Sequence, residues 1–198
     1  MSDADDPDTY AVEVGLNRNL GAALRVAPEA SESGAAVVEH TLGPGKLAAP
    51  LHRHRHEDEI SFVLEGTMGV QEGRSGGRDS AENAADVTVS TVEAGEFAVK
   101  GRGRWHTFWN PGPDPLRFFE IIAPGAFARY FEEVAAILPE NESDAENGPD
   151  SENESDAENG SDLDEETARR LGELHADYGF EIDPESVPAL LDRHGLDG

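Results

Sequence analysis

The chain has 198 residues, 42 acidic and 15 basic side chains, no cysteine, and a formal net charge of −27. The absence of cysteine excludes a disulfide framework, a thiolate metal site and a thiol nucleophile. No apolar run approaches the roughly 18 residues that a membrane helix needs, and the acidic first residues do not resemble a secretory signal. We therefore expect a cytoplasmic protein that binds neither membranes nor nucleic acid, because a strongly negative chain repels phosphates.

The acidity extends over the whole chain. Only two lysines, Lys46 and Lys100, accompany 13 arginines. This composition is typical of a halophile, in which a carboxylate-rich surface stays hydrated while molar salt screens its self-repulsion. An acidic protein from an ordinary environment, with one disordered tail, is the alternative.

The first two thirds of the chain have the character of an all-β domain. Residues 1–9 predict a disordered acidic arm, and residues 10–124 predict short strands separated by Gly, Pro and Ser, as in a sandwich or barrel. We expect 67–71 to be the hairpin partner of 60–64, and the polar residues 72–86 to form an enlarged hairpin loop. The predicted strands are 10–14, 22–26, 35–42, 60–64, 67–71, 87–92, 97–99, 107–109 and 116–122.

The character of the sequence changes after Pro124. Apolar residues at helical spacing predict an amphipathic helix over 126–138, within a segment 125–139 that packs on the barrel. Residues 140–162 contain the octapeptide NESDAENG twice and have almost nothing to bury. They predict an acidic disordered linker. A calcium site is the alternative for so many carboxylates, but the spacing of an EF-hand loop is missing.

Residues 163–198 predict C-terminal helices. The first helix should extend from Leu163 to Tyr178, with Ser161 or Asp162 as its cap and Gly179 at its end. A shorter helix should follow near residues 187–194. We expect these helices to serve packing or dimer contacts.

Three histidines and one glutamate form the main candidate site. His52 and His54 alternate in PLHRHRHEDE, Glu59 leads into the next strand, and His106 lies in RWHTFWN. Side chains at positions i and i+2 of a strand point the same way, so the first two imidazoles can meet at one point inside a barrel. Three neutral imidazoles and one carboxylate suit a divalent transition metal. Ordinary exposed histidines in a charged loop are the alternative for an isolated HxH pair.

The first histidine segment resembles the first signature motif of the cupin superfamily. That motif consists of HxH, four residues, Glu, six residues and Gly. This chain has His52 and His54, then Glu59 and Gly66 at those spacings. The leading glycine of the motif corresponds to Gly45, which lies one residue farther from the first histidine than usual.

The second segment resembles the second cupin motif: Gly, five residues, Pro-x-Gly, two residues, His, three residues and Asn. This chain has Gly95, then Gly101-Arg-Gly103, His106 and Asn110. Gly101 stands where the family usually carries proline, which loosens the turn before the histidine but removes no ligand. We expect the asparagine to close the next turn through its side chain.

The resemblance extends over residues 10–138 and implies an antiparallel jelly-roll barrel with a C-terminal helical appendage. It implies one divalent transition metal per chain, whether iron, manganese, nickel, copper or zinc. The family pattern places His56 outside the site. A homodimer is expected, and the family commonly dimerises. The implied metal ligands are His52, His54, Glu59 and His106.

Strand alternation predicts the substrate pocket beside these ligands. Ser61 and Val63 should face inward with the glutamate, and Phe108 with the last histidine. Ser61 would either widen the cavity and offer a hydroxyl or pack in a smaller core. The predicted pocket comprises Ser61, Val63, Phe97, Val99 and Phe108.

Three classes of function suit such a site. The leading hypothesis is a dioxygenase, similar to small quercetin-dioxygenase-like cupins, that acts on an enol or catechol-like substrate with Glu59 as a base. A redox-silent ion would instead support isomerase or lyase chemistry. The third class is a non-catalytic protein that binds or senses a metal or small molecule, because one fold hosts many functions. The sequence contains no basic recognition helix, which argues against a DNA-binding regulator.

Overall fold

The computed structural model describes residues 16–17, 21–73, 87–138 and 164–196. Three helices follow the main strands: α1 (Ala128–Ile137), α2 (Glu165–Tyr178) and α3 (Val187–His194). The strands are β1 (Leu16–Asn17), β2 (Ala22–Val26), β3 (Ala36–Leu42), β4 (Leu51–His54), β5 (Asp58–Glu65), β6 (Thr67–Glu72), β7 (Thr88–Glu93), β8 (Phe97–Lys100), β9 (His106–Trp109), β10 (Leu116–Ala123) and β11 (Phe180–Asp183). The predicted arm 1–9, the first predicted strand, most of the loop 72–86 and the linker 140–162 lie outside the described residues.

The strands form two antiparallel sheets. One has six strands in the order β1-β2-β3-β10-β5-β8, and the other has five in the order β11-β4-β9-β6-β7. From β3 to β6, and again from β7 to β11, consecutive strands belong to opposite sheets. This arrangement confirms the predicted all-β jelly roll with a C-terminal helical part.

Inward-facing residues alternate along the central strands. In β5, Glu59, Ser61 and Val63 are buried while their neighbours are partly exposed, and β10 has the same pattern. Val63 packs with Met68 and the other buried apolar residues of its cluster between the sheets. The period of two predicted this face correctly, because one side of each strand is turned to the core.

The predicted hairpin between β5 and β6 is wrong. β5 pairs with β10 and β8, whereas β6 pairs with β7 and β9. The chain crosses from one sheet to the other at Gly66, where φ is +79° and a Cβ would lie 2.8 Å from the carbonyl oxygen of Pro115. A hairpin and a crossover have the same local pattern of two apolar strands around a glycine, so the sequence did not distinguish them.

The helix α1 packs its apolar face on the open side of the barrel. Phe127 and Ala128 are buried with Ala36 and Val38 of β3 in one cluster. The prediction of an amphipathic helix after Pro124 is therefore confirmed. None of the three described helices has the length and apolar character that a membrane span requires.

The C-terminal segment differs in part from its prediction. The carboxylate of Asp164 caps α2 by accepting the N–H of Thr167 at 2.8 Å, so the predicted cap at Ser161 or Asp162 is wrong. Gly179 ends α2 as predicted, in the left-handed conformation. The strand β11 follows immediately and was not predicted. It pairs along the whole of β4, so the segment adds an edge strand to the five-stranded sheet.

The helix α3 covers the outer face of that sheet. The indole of Trp109 stacks on the ring of His194 with 3.8 Å between ring centroids. Leu51 and Leu190 are buried beside the indole. Strand β9 is therefore buried on both faces.

Gly69→Ala should destabilise the fold, because this indole lies directly over the glycine. An added Cβ would stand 2.2 Å from Cε2 of Trp109. Overpacking of this kind costs about 1–3 kcal/mol in the free energy of unfolding. Urea denaturation followed by circular dichroism measures the change. Gly172→Ala in α2 is the control, because a Cβ there meets no heavy atom within 4 Å and a helical Gly→Ala change stabilises by roughly 0.5–1 kcal/mol. Equal stability of Gly69→Ala and the wild type would contradict the packing.

Candidate metal centre

The four predicted ligands meet between the two sheets. His52 and His54 come from β4, and His106 comes from the neighbouring β9, where it is the register partner of His52. Glu59 reaches the same point from β5 in the opposite sheet. One donor atom from each residue lies within 4.8 Å of the others, and the residues are only 1–4% exposed. The structure therefore brings together all four residues that the sequence selected.

The carboxylate lies between two imidazoles. Oε2 of Glu59 is 3.2 Å from Nε2 of His106, and Oε1 is 3.3 Å from Nε2 of His54. The ring of His52 completes the group, with its centroid 4.3 Å from that of His106. Two carboxylate oxygens and the facing ring nitrogens thus surround one point.

Two of the imidazoles are oriented by backbone carbonyls. Nδ1 of His52 lies 2.8 Å from the carbonyl oxygen of Pro50, and Nδ1 of His106 lies 3.0 Å from that of Arg104. A proton on Nδ1 that is donated to the carbonyl leaves the Nε2 lone pair directed at the centre. This is how metal-binding histidines are commonly held in one tautomer.

The third imidazole lacks such partners. Both ring nitrogens of His54 are buried without a hydrogen-bond partner, as is Oε2 of Glu57, 3.9 Å from Nδ1 of His54. A buried polar group without a partner costs about 1–3 kcal/mol. A metal ion that accepts the Nε2 lone pair would remove part of that cost, so the residues present fit a metal.

The protonation states also suit a metal. Burial lowers the pKa of His52 well below its ordinary value and lowers the pKa of His54, which keeps both imidazoles neutral. Burial alone would raise the pKa of Glu59, but the ammonium group of Lys100 holds it well below its ordinary range. His52, His54 and Glu59 therefore need to release no proton to bind a cation, which removes a common cost of metal binding.

The turns on either side of β9 hold His106 in place. The N–H of Arg104 donates to the carbonyl of Gly101 at 3.1 Å, and Gly103 has φ +74°. The side-chain amide of Asn110 donates to the carbonyl oxygen of Asp114 at 2.8 Å, which confirms the predicted turn closure.

The sequence prediction placed Phe97 and Val99 of β8 on the wrong face of the strand. Phe97 and Val99 are 60% and 63% exposed, so the structure does not place them in the predicted pocket. The register pairs Lys100 with Glu59 and Ala98 with Ser61, and paired residues of neighbouring strands share a face. The buried face of β8 therefore carries the lysine, while the two larger apolar side chains point outward.

The inner face carries the remaining pocket candidates. Ser61, Val63 and Phe108 are buried between the sheets. The Ser61 hydroxyl donates to Oε1 of Glu120 at 2.9 Å, so it belongs to a buried polar cluster. Contact of these three residues with a substrate stays a prediction.

Sequence reasoning missed a buried lysine and glutamate beside the ligands. Nζ of Lys100 is hydrogen-bonded to Oε1 of Glu120 and lies 3.4 Å from Oε2 of Glu59. One signal was available: Lys100 is one of only two lysines in the chain, and it shares strand parity with the small Ala98.

Aromatic rings close the centre on the side of α1 and β11. The ring of Phe127 is 4.3 Å from that of His54. Phe180 lies 5.1 Å from His54 and 5.3 Å from His52, between ring centroids. Phe180 also lines a crevice of about 600 Å³ between β11 and α2, together with Trp105 and His175. Phe180 therefore borders the crevice and also contacts two of the predicted ligands.

His56 lies outside this group. Its side chain is exposed, and its ring approaches Gly179 at the start of β11. The interpretation of His56 as a residue outside the ligand set agrees with this position.

Residues 38–122 match the family described as "Cupin domain". A search of curated proteins found no match. A Klebsiella pneumoniae protein with a double-stranded β-helix domain is 23% identical, with 64% of this chain and 93% of that chain covered and a TM-score of 0.40.

Two further solved structures are similar to this chain. An oxalate oxidase is 23% identical over 62% of this chain, with a TM-score of 0.45, and the match spans only 63% of its length. A Thermotoga maritima protein described as a predicted oxalate decarboxylase is 23% identical over 52% of this chain and 77% of its own, with a TM-score of 0.40. Residues 38–122, which contain both histidine segments, match the family described as "Cupin domain", and this match together with the two-sheet jelly roll supports the cupin superfamily for this chain.

Proposed function

We propose that this chain is a metal-dependent cupin that binds one divalent transition ion and acts on a small organic substrate. The observation that carries the proposal is the buried group of four donors from both sheets, in which neither ring nitrogen of His54 has a hydrogen-bond partner. The proposed ligands are His52, His54, Glu59 and His106.

A bound ion would supply Lewis acidity and, if it is iron, manganese, nickel or copper, redox chemistry with oxygen. The chain's own residues set the surroundings of that chemistry. The rings of Phe127 and Phe180 exclude bulk water from the histidines, which strengthens electrostatic interactions at the centre. An enol or catechol-like substrate remains the leading hypothesis for the dioxygenase class.

Glu59 is better suited to be a ligand than a base. A general base works best with a pKa near the operating pH. The pKa of Glu59 is instead held well below its ordinary range, and Oε2 is already in contact with Lys100. To take a proton from a substrate hydroxyl, the carboxylate would give up the negative charge that pairs with Lys100.

A non-catalytic metal-binding or sensing protein is the second candidate. It is favoured by the closure of the centre, since the four ligands are at most 4% exposed and Phe180 covers two of them. A redox-silent isomerase or lyase would need the same ligands and differs only in the ion that is bound.

Removal of one histidine ligand should remove the metal. His52→Ala and His106→Ala should reduce bound metal far below one ion per chain, measured by elemental mass spectrometry on untagged protein purified in molar KCl. His56→Ala is the matched control and should retain the wild-type metal content, because that side chain is exposed and outside the group. Full retention of metal by both ligand variants would show that the metal is bound elsewhere.

Phe180→Ala should open the centre to solvent. The ring borders the crevice beside α2 and contacts the rings of His52 and His54, so its removal should let EDTA extract the metal severalfold faster than from the wild type. Phe97→Ala is the matched control, because it removes an equal ring from the outer face of β8. An unchanged extraction rate in Phe180→Ala would mean that access follows another route.

The classes of function separate by turnover of the metal-loaded protein. Oxygen uptake with a flavonol or catechol in an oxygen electrode is expected for the dioxygenase. Turnover of a substrate under argon would support the isomerase or lyase instead. Tight binding of a small ligand in calorimetry without turnover would support the sensing protein.

A further inference from the structure

Lys100 is fully buried, with only 1% of its surface exposed. Lysine is almost never fully buried unless it is paired, because removing an ammonium group from water costs several kcal/mol even after relaxation of the protein. Burial alone would lower the pKa of Lys100. Glu120 and Glu59 nevertheless raise it above its ordinary value, so the amine is charged.

Lys100 makes one close contact and two longer ones. Its Nζ is hydrogen-bonded to Oε1 of Glu120, lies 3.4 Å from Oε2 of Glu59, and stands 4.4 Å from the ring centroid of Phe108. Glu120 is itself fixed, because the hydroxyl of Ser61 donates to the same Oε1 at 2.9 Å. Glu120 is therefore the anchor of the ammonium group, and Glu59 receives its second, longer contact.

This second contact is not needed to neutralise Lys100, since Glu120 alone supplies one negative charge. It has a different effect on Glu59. The ammonium group contacts Oε2, which also lies 3.2 Å from Nε2 of His106, while Oε1 faces Nε2 of His54. One oxygen is thus fixed and the other is directed at the centre.

The pairing with Glu120 also resolves an electrostatic conflict. An uncompensated ammonium group beside a divalent cation would repel it strongly at low effective dielectric constant. Because Glu120 neutralises the charge of Lys100, the lysine can orient a ligand without a large penalty for the cation.

We propose that Lys100 is a positioning residue of the metal centre, which fixes the carboxylate of Glu59 for metal binding while Glu120 anchors and neutralises its ammonium group. This inference rests on the metal site proposed above. Residues that orient ligands in this way typically contribute 10–100-fold to metal affinity or activity.

Cobalt(II) is the probe, because its visible absorption reports the geometry of its ligands and its affinity can be measured by competition with a chelator. Lys100→Met should bind Co²⁺ about 10–100-fold more weakly than the wild type and give a changed visible spectrum. Lys100→Arg should recover much of the affinity, because it keeps a cation that can reach both carboxylates. Lys46→Met changes the only other lysine, which follows Gly45 and is not in the group of four donors, and should match the wild type.

Circular dichroism verifies that each variant is folded. If Lys100→Met does not fold, Glu120→Gln provides the second test. It leaves Lys100 paired with Glu59 alone, so the ammonium group competes with the metal for that carboxylate. This variant should therefore also weaken Co²⁺ binding and alter the spectrum. Wild-type affinity and spectrum in a folded Lys100→Met, or in Glu120→Gln where that variant is needed, would overturn the inference. Absence of Co²⁺ binding by the wild type would overturn the proposed metal site as well, so the two failures are distinguishable.

Discussion

A carboxylate buried among imidazoles is the constraint on which this centre depends. Glu59 is 3% exposed and cannot be stabilised by water, so its charge must be met by the protein. The ammonium group of Lys100 balances the negative charge of Glu59, and the carboxylate of Glu120 in turn balances the charge of Lys100. The jelly roll makes this possible because β5, β8 and β10 are neighbours in one sheet, while the histidines face them from the other. Charge compensation within one sheet thus presents an ionised ligand to the opposite sheet.

The C-terminal segment belongs to the same structure even though it follows the barrel in the chain. β11 pairs with β4, the strand that carries two histidines, and Phe180 covers their rings. Ion pairs of Glu181 with Arg53 and Arg55, at 2.6 and 3.0 Å, are partly exposed. Such pairs contribute at most about 1 kcal/mol each. Backbone pairing and the burial of Phe180 therefore supply most of the attachment, so the cover of the centre is also a structural edge of the sheet.

The sequence was sufficient for features that depend on local periodicity and fixed spacing. The inward face of β5, the amphipathic α1 and the four clustered donors were all predicted correctly. It was insufficient where long-range register decides. In β8 both faces carry apolar residues, and the larger ones, Phe97 and Val99, point outward because Lys100 is the partner of Glu59. The hairpin predicted at Gly66 was wrong and the strand β11 was missed for the same reason. The local sequence pattern does not specify which strand is the partner or which sheet a strand joins.

Closure of the centre bears directly on the choice between an enzyme and a binding protein. A catalyst must admit a substrate to the positions that the four protein ligands leave open, whereas a storage or sensing site needs only slow exchange. In this structure Phe127 and Phe180 cover the histidines, and the 600 Å³ crevice beside α2 ends at Phe180. Phe180 borders both the crevice and the centre, so the position of its ring would affect access to the four donors. Access to the centre, rather than the identity of the four donors, therefore separates the two proposed functions.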